Sequence, residues 1–392
     1  MKILQVSATF PPRKFGGVTS VSYNISKALV KLGHDVTVYT TDINDQHSRI
    51  SDYDSIKRND GVNVYYFKNI SNSLASNRIY TPQGFCTTIK NTLNRFDIIH
   101  LHEVRSFQSM AVHHYAKKYN IPYILQAHGS LPRIMGKQLL KYVYDKFWGY
   151  SIIKDASKVI ALTKYEVKQY KTMGLRGGNI EIVPNGINLA EFINLPKRGL
   201  FKRKWNLRDD QKIILFLARI NRIKGPDLLA KAFSKISEDN DSVKLIFSGP
   251  DDGYLNYLKY LVMELKIEEN VLFTGPLYGQ DKLEAFIDAD VYVLPSIQEA
   301  FPTSVLEACA CSIPVIVTDR CGIANIINNQ AGLVVPYDKN ALGKAILNLM
   351  NDDKKRQELG ERGKLLVREN FNWEKIVKQM EYVYLNCLSP KN

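Results

Sequence analysis

Short β-branched runs alternate with amphipathic stretches along this chain, and they do so twice, with one polar break between the two series. In the first series "KILQVSA", "DVTVYTT", "VNVYYF", "DIIHLH", "PYILQAH", "KVIALT" and "IEIVPNG" have the length and composition of strands. The intervening stretches read as helices, one from about Val18 to Leu32 and another near 106–119. Parallel neighbours need a crossover of a dozen or more residues, so this alternation predicts a parallel sheet covered by helices on both faces. The pattern lapses in "INLAEFINLPKRGLFKRKWNLRDDQ" and restarts with "KIILFLAR", "VKLIFSG", "VLFTG", "VYVLPS", "IPVIVT" and "GLVVP". A chain of 392 residues is also longer than one hydrophobic core usually serves. The expectation is therefore an α/β protein of two Rossmann-like domains, 1–195 and 196–370. A terminal helix in 371–392 is free to pack back on the first domain.

Composition narrows the class. No run of about 18 uncharged apolar residues is present, and "MKILQVSATFPP" has strand length with no signal-peptide character, which predicts a cytoplasmic location. Five cysteines, Cys86, Cys309, Cys311, Cys321 and Cys387, lack CxxC spacing and fit reduced thiols better than disulfides or a zinc site. The net charge of +14 is unevenly placed: residues 1–200 hold 27 Lys+Arg against 13 Asp+Glu, and the remainder holds 26 of each. One domain therefore carries all of the excess and suits a polyanion, either an anionic membrane surface or nucleic acid. No helix-turn-helix, zinc finger or stacking signature accompanies the charge, which argues against nucleic acid.

Open parallel sheets take ligands beyond the carboxyl ends of their strands, so two such domains facing one another would enclose a cleft. In "FLARINRIKGPDLL" a strand ends near Ala218 and Arg219, and Lys224-Gly225-Pro226 opens a helix. Arg219 and Lys224 then stand where a diphosphate would bind, and one phosphate–ammonium contact at about 4 Å is worth roughly 4 kcal/mol at an effective dielectric near 20. Gly16 and Gly17, after the first strand, allow a backbone to approach a phosphate at a helix start. The stretch "DVYVLPSIQEAFPTSVLEA" predicts a strand to about Pro295, a loop over 296–302 and a helix from about Thr303. Glu299 then lies in the loop and Glu307 one turn into the helix. Carboxylates that bracket free helical amides suit a polyhydroxyl ligand, since one accepts from hydroxyls and the other donates to them. His100 and His102 end one strand and His128 the next, and an imidazole followed by Gly129 could face the cleft. His113 and His114 lie inside a helix and read as structural or exposed. "DAD", 288–290, invites a metal reading, but it enters a strand at the edge opposite the expected ligand.

Taken together, Gly16-Gly17, His128-Gly129, "VPNGIN" at 183–188, "ARINRIKG" at 218–225 and the spacing from Glu299 to Glu307 resemble family 4 glycosyltransferases, the large retaining group of GT-B architecture. The resemblance implies that Arg219 and Lys224 bind the pyrophosphate of a UDP- or GDP-sugar, aided by the Gly16 and Gly17 amides. It also implies that Glu299 contacts the donor sugar together with the backbone of Ala300, Phe301, Pro302 and Thr303, that Glu307 holds the ribose, and that His128 lies beside the sugar. The base would rest near Gly275 and Leu277. Neither a metal nor another cofactor is expected, and the acceptor, a glycan or a polyprenyl-linked glycan, would belong to the first domain. "KQLLKYVYDKFWGYSIIK", 137–154, interleaves Lys with aromatic residues as an anionic membrane face would require. A GT-B sugar-nucleotide epimerase is the alternative reading. The chain departs from the family where "EAFPTS" follows Glu299 and where Arg320, Cys321 and Asn325 stand in "TDRCGIANII".

Overall fold

The computed structural model describes residues 1–12, 16–44, 48–50, 57–76, 79–134, 136–175, 177–237 and 242–389. Contacts divide the chain into two units, Met1–Gly186 with Trp373–Asn392, and Ile187–Asn372. Both are parallel α/β units.

The sheet of the first unit contains β1 (Lys2–Val6), β2 (Asp35–Thr41), β3 (Lys57–Asn59), β4 (Val62–Phe67), β5 (Ile98–His102), β6 (Tyr123–Gln126), β7 (Lys158–Ala161) and β8 (Ile180–Ile182), in the order β3-β4-β2-β1-β5-β6-β7-β8. All pairings are parallel except β3 with β4. Reading β-branched runs missed β3, whose sequence is Lys-Arg-Asn. A tight turn makes it a strand instead, because Asp60 and Gly61 both take positive φ, 49° and 81°, the twist that matches a two-residue hairpin.

The first long helix, Gly17–Lys31, starts within one residue of its expected position. It packs against the C-terminal helix Trp373–Leu388, which buries Trp373, Ile376, Val377, Met380, Val383 and Tyr384 in the core of the first unit. Those positions recur at i, i+3, i+4 and i+7, one stripe of a 3.6-residue period. The basic segment 137–154 is helical from Gln138 to Lys154 but is broken by a π-helical turn at Asp145–Gly149. Asp145 explains the break. Its carboxylate is buried and accepts from Arg105 Nε at 2.8 Å, Arg105 Nη2 at 2.7 Å and Arg133 Nε at 2.7 Å, which draws that turn inward.

The second unit contains β9 (Lys212–Leu217), β10 (Val243–Ser248), β11 (Val271–Gly275), β12 (Val291–Leu294), β13 (Val315–Thr318) and β14 (Gly332–Val335), in the order β11-β10-β9-β12-β13-β14 and parallel throughout. Ile213, Ile214, Leu215, Phe216, Val291 and Tyr292 are fully buried, as strands covered on both faces must be. The aspartates of "DAD" serve this unit's architecture. Asp288 accepts from the amides of Gly199 and Lys202, while Asp290 accepts from Ile213 N at 2.7 Å and pairs with Arg198 at 2.9 Å.

Candidate active site

Strand order decides where the polar residues of the second unit meet. β9 has β10 on one side and β12 on the other, so the winding reverses between β9 and β12. The crevice beyond the carboxyl ends at such a reversal is the usual ligand position in an open parallel sheet. Arg219 follows β9, and its guanidinium pairs with Asp252, which follows β10. Asn221 Nδ2 donates to the same carboxylate at 2.8 Å. The Asn221 side chain also caps the short turn Arg222–Lys224, accepting from Lys224 N at 3.2 Å. Lys224 Nζ in turn pairs with Glu299, beyond β12, and the two side chains are only 16% and 17% exposed, so bulk water screens the pair weakly. Glu307, in the helix Thr303–Ala310, accepts from Lys282 Nζ at 3.0 Å.

The loops that carry these charges are tied to one another. Ile297 N donates to Ile223 O at 2.7 Å, Thr318 Oγ1 to Ser296 O at 2.6 Å, and Gly322 N to Glu299 O at 2.7 Å. The amides of Ala300, Phe301, Thr303 and Ser304 make no hydrogen bond among the described residues. Pro302 lacks an N–H, so the expected row of donors skips it and gains Ser304 instead. Gly275, with φ of 72°, ends β11 and accepts from Gly249 N at 2.9 Å. Leu277 is buried, which leaves its backbone rather than its side chain for any ligand. Arg320 stacks 4.8 Å from the Tyr337 ring centroid, and the Cys321 thiol is pushed up to about 12 by burial, so it stays protonated near neutral pH.

In the first unit, Gly16 takes φ of 125° as the N-cap of its helix, and a side chain on Gly17 would meet nothing within 4 Å. A Cβ on Gly16 would sit 3.3 Å from Thr19 Oγ1, and Arg13, Lys14 and Phe15 just before it lie outside the described residues. His128 follows β6 and takes φ of 51°, a left-handed conformation that is costly for a residue with a Cβ. The buried carboxylate of Glu166 holds the turn, accepting from Gly129 N at 2.6 Å and Leu162 N at 2.7 Å, and burial pushes its pKa up to about 7. Burial also depresses His100 and His128 to about 3 and His102 well below its usual value, so all three imidazoles are neutral at pH 7.

The fold thus gathers Arg219, Lys224, Gly275, Leu277, Glu299, Ala300, Phe301, Pro302, Thr303 and Glu307 along one edge of the second sheet. In the first unit Gly16 and Gly17 open the helix that follows β1, and His128 follows β6. Asp252, Asn221 and Lys282 escaped sequence reasoning. The first follows a strand in "GPDDG" and could have been found from that position, whereas nothing in "GQDKLEAF" singles out Lys282. Chemically, the three ion pairs offer cations to a diphosphate and carboxylates to ring hydroxyls. Among the described residues no group of three or more His, Cys, Asp or Glu could hold a metal ion.

Two family models match the chain, Glycosyl transferases group 1 over residues 197–366 and Glycosyltransferase Family 4 over residues 15–191. An uncharacterized glycosyltransferase of Methanocaldococcus jannaschii is 28% identical, with 98% of each chain covered. The alpha-monoglucosyldiacylglycerol synthase of Streptococcus pneumoniae is 26% identical over 100% of this chain and 87% of its own. Among solved structures, Anabaena HepE in complex with UDP and glucose superposes with a TM-score of 0.77 at 17% identity, covering 98% of this chain and 100% of HepE. That likeness shows the GT-B fold.

Proposed function

We propose, from the premise that this chain belongs to the group 1 glycosyltransferases of family 4, that it moves a hexose-type sugar from a UDP- or GDP-sugar to a hydroxyl of a glycan or polyprenyl-linked glycan, with retention at the reacting carbon and without a metal. The observation that carries this reading is the set of three ion pairs at the winding reversal of the second sheet, Arg219 with Asp252, Lys224 with Glu299 and Lys282 with Glu307. Arg219 and Lys224 stabilise the negative charge that builds on the departing diphosphate. Glu299 and the amides of Ala300, Phe301, Thr303 and Ser304 hold the sugar and Glu307 holds the ribose, while the family resemblance alone assigns His128 of the first unit to the sugar. The acceptor hydroxyl attacks from the side on which the diphosphate leaves, and its proton passes to that leaving group. The structural relative crystallised with UDP and glucose supports a donor of this chemical class.

A thermal-shift screen with UDP, GDP, ADP and NAD, each with and without magnesium, tests the reading. UDP or GDP should raise the melting temperature equally with and without magnesium. At about 100 times the dissociation constant the gain is roughly 2.7 kcal/mol, and it should vanish in Arg219→Ala. A shift with NAD alone, or a dependence on magnesium, would refute it.

The basic first unit supports an acceptor presented at a membrane surface. No helix among the described residues is long and apolar enough to cross a membrane. However, Leu139, Leu140 and Phe147 are 74%, 61% and 65% exposed beside Lys141 and Lys146, and Trp148 is exposed too. An open pocket nearby is lined by Met110, His113, His114, Lys117, Lys118 and Trp148. Apolar side chains among lysines match the interface of an anionic bilayer, where each lysine near the surface adds about 1 kcal/mol. The protein should sediment with phosphatidylglycerol vesicles at low salt, and the double substitution Leu139→Glu, Phe147→Glu should release it. Failure of the wild type to sediment would remove the membrane from the reading.

A further inference from the structure

A buried chain of hydrogen bonds leads from the C-terminal helix to His128. Tyr384 OH lies 3.1 Å from Gln5 Nε2 and 2.7 Å from His100 Nδ1. Gln5 Oε1 lies 2.7 Å from His102 Nε2, and His102 Nδ1 lies 2.9 Å from His128 Nε2. The rings of His100 and His102 stack with centroids 4.2 Å apart, and those of His102 and His128 at 5.2 Å. The backbone makes this possible, because β1, β5 and β6 are adjacent strands and Gln5 stands in register with His100. Gln5, His100, His102 and Tyr384 are buried.

Each imidazole in this chain is neutral, so each carries one proton on one of its two nitrogens, and the partner of one nitrogen decides the state of the other. The Gln5 carbonyl oxygen can only accept, so His102 carries its proton on Nε2. His102 Nδ1 is then a bare acceptor, and it is satisfied when His128 donates to it from Nε2. His128 is left with a bare Nδ1, which makes no hydrogen bond among the described residues. At the other end of Gln5 the amide N–H donates to Tyr384 OH, which lies 2.7 Å from His100 Nδ1. An amide turned end for end would invert the proton position on His102 and His128, so a single side chain sets the order from Gln5 to His128.

We infer that Gln5, acting through His102, is a positioning residue that holds His128 with an unprotonated Nδ1, making it an acceptor for a hydroxyl of the donor sugar. This rests on the reading that His128 faces that sugar. Its immediate test needs no substrate, so it succeeds or fails apart from the transfer reaction.

The experiment is a long-range ¹H–¹⁵N spectrum of the full chain with ¹⁵N-labelled histidine at pH 7, with signals assigned by comparison with His102→Asn and His128→Asn. The expected wild-type result is His102 and His128 both protonated on Nε2 alone; a proton on His128 Nδ1 would overturn the inference even if Gln5→Leu does not fold. In Gln5→Leu the fixed order is lost, so the His128 signals should shift toward a mixture of the two forms; an unchanged His128 pattern would also overturn it. Binding gives a second readout. In Gln5→Leu the affinity that glucose adds to UDP, or mannose to GDP, should fall about tenfold, as loss of one well-placed hydrogen bond implies, while affinity for UDP and GDP themselves is unchanged. An equal loss for nucleotide and nucleotide sugar would mean a structural role and count against the positioning one.

Discussion

Lys224→Ala is expected to cut turnover about a hundred- to a thousandfold, the usual cost of removing one preorganised donor from developing negative charge, while leaving the protein folded. The ammonium sits on a short turn capped by Asn221 and behind a loop tied to it through Ile297 and Ile223, so its position owes nothing to the ligand. Its carboxylate partner, Glu299, is held in place from the other side by Gly322 and Arg320. A cation fixed before the substrate arrives spends no free energy on reorganisation when the diphosphate takes on charge. Removing it leaves Glu299 without its partner, and that weakly exposed carboxylate costs about 1–3 kcal/mol, a fall of several degrees in melting temperature. Turnover and melting temperature should therefore separate widely, and single-turnover measurements on the sugar nucleotide selected by the thermal screen will show it. Wild-type turnover in Lys224→Ala would take the residue out of the mechanism. Lys282→Ala is a useful companion, because Lys282 pairs with Glu307 in the same way but would face the ribose rather than the leaving group. Its loss should weaken binding more than it slows turnover.

Gly225→Ala should lower the melting temperature of the second unit by about 6–12 °C, which corresponds to roughly 3 kcal/mol in a unit of this size. Two penalties combine there. Gly225 takes φ of 69°, where a Cβ is strained by about 1–2 kcal/mol, and that Cβ would sit 2.0 Å from the carbonyl oxygen of Pro295. The obstacle is backbone at the end of β12, which no side-chain rotation relieves. Any shift that makes room must part the Lys224 turn from the loop leading to Glu299, so UDP and GDP affinity should fall as well. Gly343→Ala supplies the control, since its Cβ would make one contact at 3.6 Å inside a regular helix. It should be neutral or slightly stabilising. Equal melting temperatures for the two variants would show that the close approach of these loops is not required.

The residues differ in how far their roles could be read from the sequence. Arg219, Lys224 and Glu299 stand in the loops that follow strands, and Glu307 in the helix that follows one, and the strand and helix character is local, so their arrival at one sheet edge follows from periodicity and turn chemistry alone. Asp252 stands in an equally favourable place but in a segment, "GPDDG", that reads as an ordinary turn. Its role becomes visible only when β10 is laid beside β9 and the carboxylate meets Arg219. Glu166 and Gln5 gave no signal at all, one looking like a helix-start glutamate and the other like a polar residue in an alternating strand.

From its sequence alone this chain determined two parallel α/β series, the break between them and the charged residues at the ends of particular strands, because each of these depends on neighbours within a few positions. Only the tertiary structure decided which carboxylate answers which cation, and which tyrosine closes the chain of bonds to His128. Those pairings depend on strand order and on the return of the last helix to the first unit, which brings Tyr384 to Gln5 across 379 positions. Contacts of that range are selected by the packing of the whole unit, and no local pattern of residue types encodes them.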